Sequence, residues 1–299
     1  MCSAHFSFSG ESAAGADAGA PALELTIVGP ELAVRETTVI GLAGADLGGV
    51  VRESGRRLLP GRSHALDAGS TIAFPGGDAA AGARAYLALP GGIDVPRELG
   101  SASTLVSAGL GGVEGRALRA GDVLRAAAAP STARADCTWP WTDRDALSGL
   151  PAANPLRIIA GPAPGADVLA AGIWQVRPDS DRVGLRLEPQ PGNAPLPGSG
   201  ELLTHGVVRG AVQLPSGGTP MILLADHQTT GGYPVAAVVA RADHPRLGQL
   251  RPGHPVTFRI VTPDEARAAW QEQAAALARG AAALRGDDAL DELWQSAGR

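Results

Sequence analysis

Short apolar runs, repeatedly broken by glycine and proline, narrow the folds open to this chain more than any other feature. Its 299 residues include 41 glycines and 24 prolines, and only 4% are aromatic. Turn residues at that density suit many short strands rather than long helices, so the expected class is mainly β. Ala22–Val28 (ALELTIV) and Ala83–Leu89 (ARAYLAL) alternate apolar and polar positions, the pattern of half-buried strands. Ala33–Ala43, Arg56–Leu66 and Gly69–Phe74 read as further strands. Pro155–Ala160 (PLRIIA) starts a second set.

The exception lies near the C-terminus. Thr262-Pro263-Asp264-Glu265 is a capping box with proline at the first helical position. It predicts a helix running to about Arg279 and interrupted at Gly280, with Asp287–Gln295 as a last short helix. The alanine-rich face is poorly amphipathic, which points to loose packing or a partner surface. Met1–Ala20 is rich in Ser, Gly and Ala and reads as disordered. The expected organisation is a disordered segment over 1–20, a first β unit over 21–130, a linker over 131–154, a second β unit over 155–262 and a helical segment over 263–299. Trp139 and Trp141, on either side of Pro140, read as packing anchors within the linker. Leu250-Arg251-Pro252-Gly253 echoes Leu118-Arg119-Ala120-Gly121, each ahead of a strand, which fits two related β units.

A net charge of −5 gives no electrostatic case for nucleic-acid binding. Cys2 and Cys137 make no disulfide framework, and neither has a Cys or His at metal-ligand spacing. No apolar run approaches the ~20 residues of a membrane span. Met1–Ala20 lacks the basic region and apolar core of a signal peptide. A cytoplasmic location is the default expectation.

Function is best sought in Met221–Ala240. Two apolar runs, Met221–Ala225 and Val235–Ala240, read as buried strands. Between them lies Asp226-His227-Gln228-Thr229-Thr230-Gly231-Gly232-Tyr233-Pro234, far longer than the roughly two residues that a plain hairpin needs. Gly231 and Gly232 allow backbone angles closed to other residues, and successive N–H groups there could form an anion nest. An ordinary polar surface loop is the plain alternative. Elsewhere, Arg97, Arg116 and Arg119 are the cations of a glycine-rich stretch, Pro90–Leu124. Such arginines pair with carboxylate or phosphate, or simply solvate a surface. In a strand, Arg182, Gly184 and Arg186 would share one face, with Asp179 and Asp181 near enough to neutralise both cations. Gln213, in an apolar strand, needs polar partners. There is no Gly-x-Ser-x-Gly elbow, Walker loop or metal-ligand set. The residues suit positioning of a small amide or carboxylated ligand: Thr and Gln as donors, Arg as counter-charge, Asp226 as orienter or base.

These stretches resemble the allophanate hydrolase subunit 2 family. Asp226 and Gln228–Pro234 match its DxQTTGGYP signature, with His227 at the variable position. Ser180, Asp181, Arg182, Gly184 and Arg186 match SDRxGxRL. Pro90–Leu124 resembles GGIDVPxxLGSRST and GGxxGRxLxxGD, with Ala102 where the family usually has Arg. Leu202–Leu214 resembles SEGVxxGAxQVP, with Thr204 for Ser and His205 for Glu. The resemblance runs from about Pro21 to about Glu265. It implies two linked cyclophilin-like β-barrel units with a C-terminal helix. The family includes the C-type subunit of bacterial 5-oxoprolinase, the carboxyltransferase half of urea amidolyases and the Kip antagonist proteins.

The resemblance implies one component of an ATP-dependent complex opening 5-oxoproline to glutamate. The active site would be shared with a subunit-1-type protein, the B-like component of 5-oxoprolinase, alongside an A-like protein, with ATP used through the complex. Asp226 and Gln228 would be catalytic. Arg97, Arg116, Arg182, Arg186, Gln213, Thr229, Thr230, Gly231, Gly232 and Tyr233 would bind substrate, and no metal is expected. The alternatives are a Kip-antagonist-like regulatory binding protein and a urea carboxylase fragment. The latter needs biotin carried by another protein, because this chain has no Met-Lys-Met attachment motif. Family members usually begin with QDxGRxGxxxxGVxxxGAxD and an AN-x-L-x-GN stretch, where this chain has MCSAHFSFSGESAAGADAG. Loss of that segment would uncover a sheet edge, so the chain as given is expected to be poorly soluble or inactive even with its partners.

Overall fold

A computed structural model of the chain describes residues 19–78, 82–128, 137–138, 155–196, 200 and 202–285. They fall into two compact units. The first holds residues 19–128, Cys137–Thr138 and the last helix from Ala275 onward; the second runs from Pro155 to Ala274.

The first unit contains β1 (Leu23–Thr26), β2 (Glu31–Ala33), β3 (Thr38–Gly44), β4 (Val50–Val51), β5 (Arg62–Leu66), β6 (Thr71–Ala73) and β7 (Arg84–Ala88). They form a four-stranded sheet, β1-β7-β3-β5, and a three-stranded sheet, β2-β6-β4. The strand expected over Ala33–Ala43 is in fact two strands in different sheets. Val34 is drawn instead into the turn at Asp67–Ser70, its N–H donating to Ser70 O and its carbonyl accepting from Gly69. Leu25, Ile40 and Leu87 from one sheet share a core with Ile72 and Val51 from the other. Cys137 and Thr138, expected in the linker, lie along β5. Ser63 N–H donates to Cys137 O, and Cys137 N–H donates to Ser63 Oγ, both at 2.9 Å. Trp139, Trp141 and Asp287–Gln295 fall outside the described residues, as does nearly all of Met1–Ala20.

The second unit contains β8 (Leu156–Ala160), β9 (Trp174–Val176), β10 (Gly184–Pro189), β11 (His205–Gly206), β12 (Ala211–Gln213), β13 (Met221–Leu223), β14 (Thr230–Gly231), β15 (Val235–Val239), β16 (Pro255–Val256) and β17 (Phe258–Ile260). Helices α1 (Ala166–Ala171) and α2 (His244–Gln249) complete it, together with the first part, up to Ala274, of α3 (Pro263–Arg285). Eight strands make one sheet in the order β16-β9-β10-β13-β12-β15-β8-β17. Its two end strands, β16 and β17, are separated in the chain only by Thr257, so the sheet curls until one short segment borders both ends. The result is a nearly closed barrel. Trp174, Leu187, Ile158, Ile222, Val212 and Phe258 fill it.

The capping box forms as the sequence predicts. Thr262 N–H donates to Glu265 Oε2 (2.7 Å) and Glu265 N–H donates to Thr262 Oγ1 (3.2 Å). The helix does not stop at Gly280 but continues to Arg285. A glycine costs a helix only about 1 kcal/mol relative to alanine. Ala266, Leu277, Gly280 and Ala281 are buried at helical spacing, and that stripe outweighs the cost. It also corrects the expectation of a loosely packed helix. Ala266 packs with Ala240, Val261 and Ile159, and Trp270 lies under the Arg241 guanidinium at 4.1 Å. The fold is therefore mainly β, with a nearly closed eight-strand barrel and a C-terminal helix.

The two L-R-x-G turns are built alike. Gly121 and Gly253 both adopt a left-handed φ, as the third position of a type II turn requires. Asp122 N–H donates to Arg119 O and His254 N–H to Arg251 O, at 3.1 and 3.0 Å. In return, the Asp122 carboxylate and the His254 ring nitrogen accept the N–H of the same arginines. Among the described residues no helix is long and apolar enough to cross a membrane.

Candidate functional site

β12 lies between β13 and β15 and runs antiparallel to both. The chain leaves β13 beside one end of β12 and re-enters the sheet as β15 beside the other. Asp226–Pro234 must therefore cross the face of β12, which explains the length of the loop. Val212 points into the barrel core, so its neighbour Gln213 points to the opposite, loop-covered face. Ala211, Val207, Leu223 and Val235 form a second apolar layer outside the barrel. The loop is held over this layer by a small ribbon. β11 pairs with β14, and Val207 N–H donates to Thr229 O and Leu202 N–H to Gly232 O, at 3.0 and 2.8 Å.

Gln213 is fully buried. The pairing of β12 with β15 skips Ala236, with Val212 opposite Ala237 and Gln213 opposite Val235. A bulge of this kind re-aims the side chain beside it. Gln213 Oε1 lies 3.5 Å from Gln228 Nε2. Its own Nε2 has no hydrogen-bond partner among the described residues. Gly231 lies directly over that nitrogen, since a Cβ there would sit 2.8 Å from it. This corrects the reading of the two glycines. Neither Gly231 nor Gly232 has a positive φ. What distinguishes Gly231 is its close approach to the Gln213 side chain, not an unusual backbone angle.

A second cluster lies at the start of the loop. Arg182 grips Asp226 with both arms of its guanidinium, Nε to Oδ2 at 2.8 Å and the second nitrogen to Oδ1 at 3.2 Å. The backbones are tied as well, Asp226 N–H donating to Arg182 O at 3.0 Å. Arg182 does not share a strand face with Arg186, because β10 begins only at Gly184. The Asp181 carboxylate accepts the N–H of Val183 and of Gly184, turning the chain before the strand starts. Arg186 instead donates to Asp179 O at 2.6 Å. Asp179 is itself bonded to Arg177, which holds its carboxyl below the usual range.

The structure thus gathers Arg182 with Asp226, and Gln213 with Gln228 and Gly231. Thr229 and Thr230 are exposed on the ribbon, while Gly232 and Tyr233 are half-buried beside it. Arg97 and Arg116 belong to the first unit, where Arg97 is exposed. Arg116 closes its own turn on Asp122 at 2.8 Å and on Glu114. Its hydrogen bonds hold the Asp122 carboxyl down at about 2.

Sequence reasoning missed the support beneath the site. Gly210, which immediately precedes β12, has φ +85, and a Cβ there would lie 2.6 Å from His244 Nε2. His244 is largely buried with Nε2 3.2 Å from Val239 O, and burial pushes its pKa down to about 4. Next to it Asp243, 1% exposed, accepts the backbone N–H and both guanidinium arms of Arg157. The signal available in the sequence was the polar cluster Arg241-Ala242-Asp243-His244 following an apolar strand.

The family described as carboxyltransferase domain, subdomain A and B, matches residues 7–260. The chain is 34% identical to the C-type subunit of 5-oxoprolinase from Escherichia coli (strain K12), over 87% of this chain and 81% of that one. It is 29% identical to urea amidolyase of Saccharomyces cerevisiae, over 88% of this chain but only 15% of that one. Among solved structures it is similar to TTHA0988 (TM-score 0.75, 34% identity), covering 86% of this chain and 49% of that one. It is also similar to the Kluyveromyces lactis urea carboxylase (TM-score 0.75, 28% identity), covering 92% of this chain and 26% of that one.

Proposed function

We propose a function from a plain premise: the chain belongs to the carboxyltransferase-domain family, subdomains A and B. It serves as the C-type subunit of an ATP-dependent 5-oxoprolinase, helping to open 5-oxoproline to glutamate. A subunit-1-type (B-like) protein and an A-like protein complete the assembly. The observation that carries this reading is the similarity to the Escherichia coli protein across most of both chains.

Opening a lactam needs the ring held still, its carbonyl polarised and water delivered. This chain's residues suit the holding and polarising. Arg182 fixes the plane of the Asp226 carboxylate, and each oxygen keeps a lone pair that can accept a substrate N–H. The exposed Gln228 and Thr230 side chains offer donors to a developing oxyanion. Arg97 remains the candidate cation of the first unit, since Arg116 is committed to Asp122 and Glu114.

ATP supplies phosphoryl activation in such a reaction, but the cations beside the loop do not fit a phosphate chain. Arg182 is committed to Asp226 and Arg186 to Asp179. ATP is accordingly assigned to the partner chains. Carboxyl transfer to urea is the second reading, favoured by the likeness to urea amidolyase and urea carboxylase. In that case biotin is carried outside this sequence.

The test is reconstitution. The purified chain alone is expected to show no turnover. Adding A-like and B-like proteins with ATP, to this chain or to a version extended N-terminally with the family's opening segment, is expected to give 5-oxoproline-dependent glutamate formation. Robust turnover by the chain alone, or none by the full assembly, overturns the reading.

A further inference from the structure

We propose that the Gln213 amide is a covered recognition point for a cis-amide edge, a carbonyl oxygen and an N–H side by side as in a lactam or a urea. The Gly231 segment lifts to admit it. This inference deepens the site assignment above and rests on it.

Burial without satisfaction comes first. Gln213 is 0% exposed, yet its Nε2 has no hydrogen-bond partner among the described residues. Leaving a buried donor unmade is costly, so such a group in a folded protein asks for an explanation. The surroundings do not suggest a structural strut, because Gln213 faces the apolar layer of Ala211, Val207 and Val235. A leucine would fill that place without the penalty. The bulge at Ala236 sits opposite this residue and redirects it.

The cover is thin. The Gly231 backbone lies over Nε2 with no side chain of its own, and a Cβ there would come within 2.8 Å. The ribbon carrying Gly231 pairs through two residues on each strand, and its neighbours Thr229 and Thr230 are exposed. Lifting it breaks few bonds. The other atom of the amide, Oε1, accepts from Gln228 Nε2 at 3.5 Å, the outer limit of a hydrogen bond. A ligand N–H can replace that contact.

A primary amide presents one donor and one acceptor on a single edge. The complement is an acceptor and a donor on one edge. Ring lactams and ureas have it. Open-chain secondary amides do not, because they are trans and point the two groups apart. A carboxylate offers only acceptors.

The test uses the purified chain and four probes: 5-oxoproline, 2-pyrrolidinone, urea and N-methylacetamide. Ligand titrations follow the 15N side-chain resonances of Gln213. The lactams, urea or both are expected to shift them saturably, and N-methylacetamide is not. Which probes bind separates the lactam source from the urea source. Gln213→Leu is expected to lose at least tenfold in affinity while its melting temperature rises by about 2–4 °C, because an unsatisfied buried amide is removed. Gln213→Glu, which places an oxygen where the donor stands, is expected to lose affinity as well. Gly231→Ala is expected to weaken binding without Gln213 being changed.

Three results overturn the inference: no cis-amide probe binds, N-methylacetamide binds as well as the lactams, or Gln213→Leu lowers the melting temperature and leaves binding intact. The outcome is separable from that of the parent reading. Lactam binding here with no turnover by the full assembly sinks the 5-oxoprolinase reading alone. Turnover by the assembly with no binding here sinks this inference alone.

Discussion

Lowering the pH should destabilise this protein through His244 before its carboxylates are protonated. His244 is packed behind Gly210, and its Nε2 faces Val239 O. Burial is the main cause of its lowered pKa, and the Arg209 charge is the second. Arg241 also opposes protonation, and Asp243 favours it weakly. The unfolded chain takes up a proton near 6.5, whereas the folded one resists until about 4. The sign follows from linkage: stability is at its full value above 6.5, falls as the pH drops towards 4, and levels off below. At roughly 1.36 kcal/mol per pH unit, the loss between about pH 7.5 and about pH 4.5 is about 2.5 kcal/mol. Against a total stability of about 5–15 kcal/mol, that is a large fraction.

The assay is guanidinium denaturation of the wild type and of His244→Gln across that range. Glutamine keeps an N–H for Val239 O but does not titrate. The wild type should lose about 2.5 kcal/mol more than the variant. Parallel stability curves, differing by less than about 1 kcal/mol at the acid end, would refute the argument.

Other substitutions test the scaffold and the loop. Gly210→Ala imposes a left-handed backbone on alanine and drives its Cβ to 2.6 Å from His244 Nε2. It should cost about 2 kcal/mol or more in chemical denaturation. Gln228→Ala and Thr230→Ala should leave folding intact and cut turnover of the assembly more than tenfold, about 1.4 kcal/mol of transition-state binding. Wild-type kinetics in both would make the loop purely structural. Thr262→Ala removes the cap that accepts the Glu265 N–H and should cost about 1 kcal/mol in thermal unfolding.

What was readable in the sequence was local. The apolar runs on either side of the loop became β13 and β15, and the capping box closed as its spacing predicts, because both depend on near neighbours. The repeated L-R-x-G turn was readable for the same reason. What could not be read depended on partners far along the chain. Nothing near residue 226 shows that β12 intervenes between the two runs, yet that order sets the loop's length. Gly231 looked like a backbone device. The close contact at Gly231 comes from Gln213, a strand away. Arg182 and Arg186 looked like a pair on one strand until Asp181 turned the chain between them. The Arg157–Asp243 pair joins residues 86 positions apart, and no spacing rule reaches that far.

The barrel's closing segment has a consequence for how the molecule comes into being. β8 is among the first strands of its unit to leave the ribosome, but its parallel neighbour, β17, is among the last. β9 waits for β16 in the same way. Until Pro255–Ile260 emerges, both strands present bare edges at once, and pairings this distant in sequence form slowly. The nascent unit therefore passes through a window in which two open edges invite other chains. A single six-residue stretch, the last of the unit's strands to be made, closes both.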